Sequence, residues 1–288
     1  MSGLVDAHLD HRRSYEDFYY VYPVISRRSK GVSIGVNLNP DKVCNFDCVY
    51  CEVDRKTPAR TKTVDLNILE AELRSMIGIW KSGELFQKEP FSSAPGNLHR
   101  LNDIALSGDG EPTSHREFDR AVEIVVRLRA ELCPPDCKIV LITDAAGLDR
   151  EAVRRGLTLM DQNNGEVWAK LDAGTEEYYR LVNRSFVSYD RILKNLESTA
   201  KERAIYIQTL FMNIKGLPPS PEEINAYCKR LCKLLSQGAQ IAGVQLYTIA
   251  RPTPEVWATA LDKTSLQKIA ETIRQITGLP VEVFNGTA

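Results

Sequence analysis

Short apolar segments alternate with amphipathic segments along almost the whole chain, and this alternation most constrains the fold. Strands are predicted near residues 31–39, 103–106, 138–143, 166–172, 204–211, 241–249 and 280–284. Helices are predicted near residues 65–82, 115–132, 149–160, 175–182, 189–202, 221–236 and 264–277. Apolar strands separated by helices form parallel sheets that helices cover. Six strand–helix units suit either a partial barrel or a doubly wound open sheet.

The charge balance and hydropathy of the chain argue against a general nucleic-acid binder, a membrane-spanning protein and a protein with a signal peptide. The 288 residues carry 37 Lys and Arg against 38 Asp and Glu, a formal net charge of -1, which is not typical of a general nucleic-acid binder. No stretch approaches the ~20 apolar residues that span a bilayer. The segment from Met1 to Arg13 is polar and lacks the apolar core of a signal peptide. We therefore expect a cytoplasmic protein.

Three cysteines with the spacing C-x3-C-x2-C, Cys44, Cys48 and Cys51, follow the first predicted strand. Three thiolates within eight residues can hold an iron–sulfur cluster or another thiophilic metal, with one metal position left open. A zinc site would need a fourth ligand from a distant histidine. A redox dithiol at Cys48 and Cys51 would leave Cys44 unexplained, and buried structural thiols are unusual in a loop.

Other chemically distinctive residues follow the next strands. A glycine-rich turn, Ser107 to Pro112, follows the second strand, Thr143 and Asp144 end the third, and Lys170 and Asp172 end the fourth. Carboxyl ends of parallel strands meet at one edge, where active sites of such folds lie. Two ordinary explanations stay open: Glu111 in a simple strand–helix turn, and Lys170 with Asp172 as a buried ion pair.

The cysteine loop, with the aromatic Tyr50 before its last cysteine, resembles the signature of the radical S-adenosylmethionine (SAM) superfamily. The turn from Ser107 to Thr113 resembles its second signature. Further segments resemble one branch of this superfamily, which is related to the wyosine-base tRNA-modifying Fe–S oxidoreductases. Many members of that branch have no assigned activity. The segments are Ser26–Arg28, Asn37–Pro40, Glu166–Ala173 and Val244–Pro252. The wyosine enzymes carry three further cysteines near the N-terminus, and no cysteine precedes Cys44 here, so that activity is not implied.

The resemblance implies an α/β fold, a partial (β/α)6 TIM-like barrel with parallel strands. It implies a radical SAM core over residues 31–288, with residues 1–30 as an N-terminal extension packed on it. Cys44, Cys48 and Cys51 would bind a [4Fe–4S] cluster, whose fourth iron SAM would chelate. Reductive cleavage of SAM would then give a 5′-deoxyadenosyl radical that abstracts hydrogen from a substrate. An electron donor such as a flavodoxin or ferredoxin would be the partner.

The resemblance also implies a set of SAM contacts. A glycine turn can present backbone carbonyls to the SAM ammonium because no Cβ intervenes. Lys170 and Asp172, two apart on a strand, point to one face. Asp144 stands where relatives often carry Asn, which puts an amide contact there in doubt. The expected cofactor-binding residues are Tyr50, Gly108, Asp109, Gly110, Glu111, Thr143, Lys170, Asp172, Arg184, Gln208, Tyr247 and Arg251.

The sequence is compatible with several substrates and with two roles for the four remaining cysteines. Within an oxidoreductase or transferase of this class, RNA-base modification competes with small-molecule, peptide or glycyl-radical-activating chemistry. A different class is a non-catalytic iron–sulfur or zinc-binding sensor that keeps only the cysteine loop. The remaining cysteines could hold a second metal, but we expect them to be buried apolar residues; they are Cys133, Cys137, Cys228 and Cys232.

Overall fold

The computed structural model describes residues 13–286, which divide into two compact units. The first unit runs to Cys44 and includes Arg55–Ile142 and Asp149–Glu166. The second comprises Asn45–Asp54, Thr143–Leu148 and the chain from Val167 onward.

The first unit contains strands in the order β1-β2-β3-β4, namely Val21–Ser26, Gly31–Val36, Leu101–Leu106 and Lys138–Thr143. β1 pairs antiparallel with β2, whereas β2, β3 and β4 are parallel to one another. Its helices are α1 (Leu66–Ser82), α2 (Phe118–Leu132) and α3 (Glu151–Asp161). Short 3₁₀ turns lie at Glu84–Gln87, Phe91–Ser93, Gly96–Leu98 and Pro112–Ser114.

The ends of α1 show why the chain forms a helix where periodicity predicts one. The Asp65 carboxylate accepts from the backbone N–H groups of Asn67 and Ile68, which have no partner within the helix. Gly83 ends the helix in the left-handed conformation, with a φ of 80°, which glycine adopts without steric cost. Between these caps, Leu69 and Leu73 lie on the fully buried face.

The second unit contains parallel strands in the order β5-β6-β8-β10, namely Gly165–Lys170, Ile205–Leu210, Ile241–Tyr247 and Val281–Phe284. A separate antiparallel pair joins β7 (Met212–Ile214) to β9 (Ala258–Ala260). Its helices are α4 (Glu176–Asn183), α5 (Tyr189–Glu202), α6 (Pro221–Ser236) and α7 (Lys263–Thr277).

The predicted fold class is confirmed: the chain has an α/β fold with mostly parallel strands, of the partial TIM-like barrel class. β1, β7 and β9 were not predicted from the sequence. β1 lies at the sheet edge and contains Pro23, which is tolerated on edge strands. The division of the chain at residue 30 stays a prediction.

No helix in the described part of the chain is both long and apolar enough to cross a lipid bilayer.

A buried carboxylate lies near the start of β3. Asp103 is 2% exposed, and one of its oxygens accepts from the Ser33 hydroxyl. The other oxygen has no hydrogen-bond partner among residues 13–286. Burial raises the pKa of Asp103 to about 6, with the Ser33 hydrogen bond opposing the rise. The folded protein therefore keeps the proton of this side chain up to about pH 6, whereas an unfolded aspartate loses it near pH 4.

We expect the wild-type protein to lose stability relative to Asp103→Asn as the pH rises from about 4 to about 7. The folded pKa of Asp103 exceeds that of an unfolded carboxyl, so its stabilisation is complete at low pH and is lost as the pH rises through about 6. The full change is about 3 kcal/mol, since the unfolded pKa is about 3.9. Urea unfolding of both proteins across this range measures the difference. Parallel pH profiles would contradict the assignment.

Candidate functional site

The cysteine loop lies between β2 and α1, and its three thiols are half-buried. The part of the loop in the second unit is held by the C-terminal end of α4. The backbone N–H of Asp47 donates to the carbonyl of Asn183 at 3.0 Å, and that of Val49 donates to the carbonyl of Val182 at 2.9 Å. Cys51 closes a turn by donating to the carbonyl of Cys48 at 2.9 Å. The backbone around Cys48 and Cys51 is therefore fixed by neighbouring structure.

The thiol of Cys48 is connected to a buried polar network. The Asn183 side-chain amide lies 3.4 Å from Cys48 Sγ and also donates to Asp172 Oδ2 at 3.0 Å. Burial raises the pKa of Cys48 to about 12, although the positive charge of Lys170 opposes the rise. At neutral pH this cysteine is a thiol, and a metal that binds there must displace its proton.

The Tyr50 hydroxyl links Lys170 to Asp172. The Tyr50 hydroxyl donates to Asp172 Oδ2 and accepts from Lys170 Nζ at 3.2 Å. The ammonium also lies 4.9 Å from the centre of the Tyr50 ring. Burial and the neighbouring Asp172 carboxylate raise the pKa of Tyr50 well above 10, so the ring is a neutral phenol.

The ammonium of Lys170 stays protonated in this setting. Burial alone would lower the pKa of Lys170, but the acidic groups of Tyr247, Asp172 and Cys48 outweigh burial and raise it. The site therefore combines one permanent positive charge with one carboxylate. Such a pair can bind a zwitterion that carries both an ammonium and a carboxylate.

Asp172 also fixes the neighbouring strand. Its Oδ1 accepts from the backbone N–H of Leu210 at 2.8 Å, and the side chain is 3% exposed. Both oxygens thus have partners within the second unit. Asp172 therefore has a structural role, because it holds Tyr50, Asn183 and β6 in place. It also stays a predicted SAM contact.

Gln208, Tyr247 and Thr143 lie at or near strand ends in the second unit. Gln208 is fully buried and donates to Gln245 Oε1 at 2.7 Å, while its own Oε1 has no partner among the described residues. Tyr247 is half-buried and packs against the apolar cluster that contains Tyr50. Thr143 is 1% exposed, and its hydroxyl accepts from the backbone N–H of Ala145 at 3.0 Å. The Thr143 side chain therefore stabilises the turn that follows β4.

Two predicted SAM contacts, Arg184 and Arg251, make ion pairs with carboxylates of neighbouring loops. Arg184 lies 2.6 Å from Glu255 and 3.6 Å from Asp47, at the left-handed C-cap of α4. Arg251 Nε donates to Glu52 at 2.6 Å. Arg184 therefore contacts a residue of the cysteine loop, Asp47. Arg251 contacts Glu52, the residue after Cys51.

The glycine-rich turn after β3 belongs to the first unit. A Cβ on Gly108 would collide with Asn37, and one on Gly110 would collide with the carbonyl of Val43, so both positions require glycine. Asp109 accepts from the Asn37 amide at 2.8 Å and lies 3.2 Å from Arg13. Close packing against the segment that precedes the cysteine loop thus explains both glycines.

Glu111 caps the turn that follows β3, and its contact with SAM stays a prediction. It is 2% exposed, and its Oε1 accepts from the backbone N–H of Thr113 at 3.1 Å and from the Thr113 hydroxyl at 2.5 Å. These contacts cap the 3₁₀ turn that follows.

The donor set of the cysteine loop fits an iron–sulfur cluster by its chemistry. Three half-buried thiols in one short loop are the ligands that such clusters take. No group of three or more His, Cys, Asp or Glu side chains within residues 13–286 is arranged as a metal site. The fit therefore depends on donor type and loop position.

Asn183 links Cys48 to Asp172 and is not among the site residues predicted from the sequence. The only signal was its place beside Arg184 in the sequence Asn-Arg-Ser. Its role depends on contacts with residues 11 and 135 positions away, which no local pattern encodes.

Comparison with curated proteins finds distant relatives, and no family model matches the chain. The UPF0026 protein of Methanocaldococcus jannaschii is 31% identical over 176 residues, covering 60% of this chain and 47% of that protein. The GTPase Obg of Brachyspira hyodysenteriae is 23% identical, covering 85% of this chain and 32% of that protein. The UPF0026 protein of Synechocystis is 22% identical, covering 92% and 96%. The chain thus spans less than half the length of the first two relatives.

Comparison with solved structures finds the same fold in several enzymes. SuiB of Streptococcus suis bound to S-adenosylmethionine matches 86% of this chain and 49% of its own, with a TM-score of 0.57 and 13% identity. TYW1 with a lysine-pyruvate adduct matches 94% and 80%, with a TM-score of 0.53 and 14% identity. Spore photoproduct lyase with a dinucleoside spore photoproduct matches 84% and 74%, with a TM-score of 0.51 and 11% identity.

These neighbours are radical SAM enzymes. The resemblance carried by the cysteine loop is thereby confirmed in the fold, and the chain has the fold of the radical SAM enzymes.

Proposed function

We propose that this protein is a radical SAM enzyme that cleaves S-adenosylmethionine reductively to generate a 5′-deoxyadenosyl radical. The observation that carries the proposal is a C-x3-C-x2-C loop directly after a strand in a chain with the radical SAM fold. SuiB, which shares this fold, was solved bound to S-adenosylmethionine. A cytoplasmic location and a flavodoxin- or ferredoxin-type electron donor accompany the proposal.

Cys44, Cys48 and Cys51 would hold the [4Fe–4S] cluster. When bound, the cluster would supply the electron that breaks a carbon–sulfur bond of SAM. Asn183 orients the Cys48 side chain, and the backbone of α4 fixes the loop around it. Thiolate ligation would release the proton that burial holds on Cys48.

The second unit supplies groups that suit the amino acid part of SAM. The Lys170 ammonium can pair with the SAM carboxylate, and the Tyr50 hydroxyl links this ammonium to the Asp172 carboxylate. Tyr50 separates the two through its hydroxyl and presents an aromatic face beside them. Gln208 offers a carbonyl oxygen that has no hydrogen-bond partner among residues 13–286. The other proposed contacts are Gly108, Asp109, Gly110, Glu111, Thr143, Arg184, Tyr247 and Arg251.

Anaerobic reconstitution with iron and sulfide tests the proposal directly. The reconstituted protein should bind about four iron and four sulfide ions per chain. It should also release 5′-deoxyadenosine from SAM when dithionite is added. If the protein bound zinc and stayed colourless, the proposed enzyme function would be wrong. A protein that assembles a cluster but leaves SAM intact would indicate a sensor.

Lys170→Met is expected to weaken SAM binding by about ten- to a hundredfold, because hydrogen bonds to charged groups contribute about 1.5–3 kcal/mol. Iron content should not change, because Lys170 is not a cluster ligand. Equilibrium dialysis of reconstituted protein with labelled SAM measures the effect. Lys138→Met is the matched control, since Lys138 begins a strand and pairs with Glu166 in the first unit. Equal affinity in the Lys170 variant would remove it from the SAM contacts.

A further inference from the structure

The turn that follows β4 contains a strained residue. Ala145 has a φ of 68°, in the left-handed region, and is fully buried. Within residues 13–286 it is the only buried non-glycine residue with a positive φ, since the others are exposed or half-buried. A Cβ makes this conformation unfavourable, and alanine has no polar side chain that could compensate locally. The surrounding structure must therefore hold Ala145 in this conformation.

Asn195 of α5 holds the turn from the neighbouring helix. Its side-chain amide donates to the carbonyl of Ala145 at 2.8 Å and to the carbonyl of Ala146 at 3.3 Å. An amide suits this role, because its nitrogen carries two N–H groups for two acceptors. All three residues are buried, so removal of the amide would leave the two carbonyls without this donor. Both the turn and α5 belong to the second unit.

The same turn fixes two polar side chains at the carboxyl end of β4. The backbone N–H of Ala145 donates to the Thr143 hydroxyl at 3.0 Å, and the backbone N–H of Ala146 donates to Asp144 Oδ1 at 2.8 Å. Thr143 and Asp144 are both buried. The dihedral angles of Ala145 set the direction of the Ala146 N–H group, so they also determine where the Asp144 carboxylate is held. A relaxed Ala145 would therefore disturb the end of β4.

We propose that Asn195 is a positioning residue for SAM binding: it holds Ala145 in the left-handed conformation and thereby keeps the end of β4, Thr143 and Asp144, in the orientation that binds SAM. The inference rests on the proposed function, in which Thr143 contacts SAM. Backbone strain of this kind concentrates at active sites and ligand clamps, where the surrounding structure over-determines it. A turn that only connected β4 to α3 could have glycine at position 145 and avoid the strain.

The SAM affinity of the full, reconstituted protein tests this role. Asn195→Ala removes the donor of two buried carbonyls, and Ala145 should then relax. We expect the dissociation constant of SAM to rise about tenfold or more, since misplaced binding groups cost up to about a hundredfold. Iron content should stay at the wild-type level, because Asn195 does not contact the cysteine loop in the second unit. Equilibrium dialysis with labelled SAM and iron analysis of the same samples give the two readings.

Ala145→Gly distinguishes positioning from general support of the fold. Glycine adopts the left-handed conformation without a steric cost, so the turn should keep its shape even without Asn195. The double variant Asn195→Ala/Ala145→Gly should therefore bind SAM within about threefold of Ala145→Gly alone. This comparison also decides the matter if Asn195→Ala by itself does not fold. If the double variant bound SAM about tenfold more weakly than Ala145→Gly, the proposal would be wrong, because the conformation of Ala145 would not carry the effect.

Leu196→Ala is the control for a loss of stability. Leu196 is the next residue on α5 and is fully buried, but its apolar side chain donates no hydrogen bond to the turn. Urea unfolding should show a clear loss of stability, whereas the folded variant should bind SAM like the wild type. Equal weakening of SAM binding in Leu196→Ala and Asn195→Ala, or unchanged affinity in Asn195→Ala, would overturn the positioning role alone. If the wild-type protein itself bound no SAM, the proposed function would be wrong as well.

Discussion

Cys48→Ala is expected to abolish assembly of the iron–sulfur cluster. Changes outside the ligand shell alone cost about ten- to a hundredfold in metal affinity, so the loss of one of three thiolate ligands should cost more. The variant should retain iron near the level of unreconstituted protein and release no 5′-deoxyadenosine from SAM. Iron and sulfide analysis after anaerobic reconstitution, with the absorption spectrum of the cluster, measures the effect.

The matched control for this variant is Cys232→Ala. Cys232 is also half-buried, but it lies on α6 and its thiol contacts the carbonyl of Ile276. We expect full iron content in the control. The side chain of Cys48 packs beside an apolar cluster, so circular dichroism and urea unfolding should show that both variants fold. Undiminished iron in a folded Cys48→Ala protein would contradict the ligand assignment.

The sequence predicted the main strands and helices because hydrophobic periodicity reports burial directly. β4 and α6 have the bounds that the pattern indicates, Lys138–Thr143 and Pro221–Ser236. The pattern failed for β1, whose Pro23 argues against a strand unless the strand lies at an edge. It also failed for β7 and β9, which are three residues each and too short to show a period. Edge strands and very short pairs depend on tertiary partners.

The sequence predicted those features of the candidate site that depend on local patterns. Cysteine spacing and strand alternation are local, so the loop and the shared face of Lys170 and Asp172 could be read from the sequence. The partner of Asp172, Tyr50, lies 122 positions away, and no local pattern assigns that hydrogen bond. Likewise, the sequence could not distinguish a Glu111 that binds a ligand from one that caps its own turn. Which polar group contacts which is decided by packing, which only the structure describes.

Asp172→Ala is expected to lower the free energy of unfolding by about 3–5 kcal/mol, because removing the buried carboxylate leaves three hydrogen-bond donors unpaired. The partners are the backbone N–H of Leu210, the Asn183 amide and the Tyr50 hydroxyl. SAM binding should also weaken while the cluster still assembles, since Tyr50 and Lys170 lose the group that positions them. Urea unfolding and equilibrium dialysis with SAM give the two readings.

Two variants show whether the effect of Asp172→Ala belongs to this network. Asp172→Asn keeps an oxygen for the Leu210 N–H and should lose less stability than the alanine variant. Glu176→Ala removes an exposed carboxylate that pairs with Arg180 in the same unit, and should cost about 1 kcal/mol or less. If Asp172→Ala were as stable as Glu176→Ala, the hydrogen bonds at Asp172 would not hold the second unit together. If its stability fell but SAM affinity did not, Asp172 would be a structural residue beside the SAM site, and Lys170 would be the remaining charged candidate for binding the SAM carboxylate.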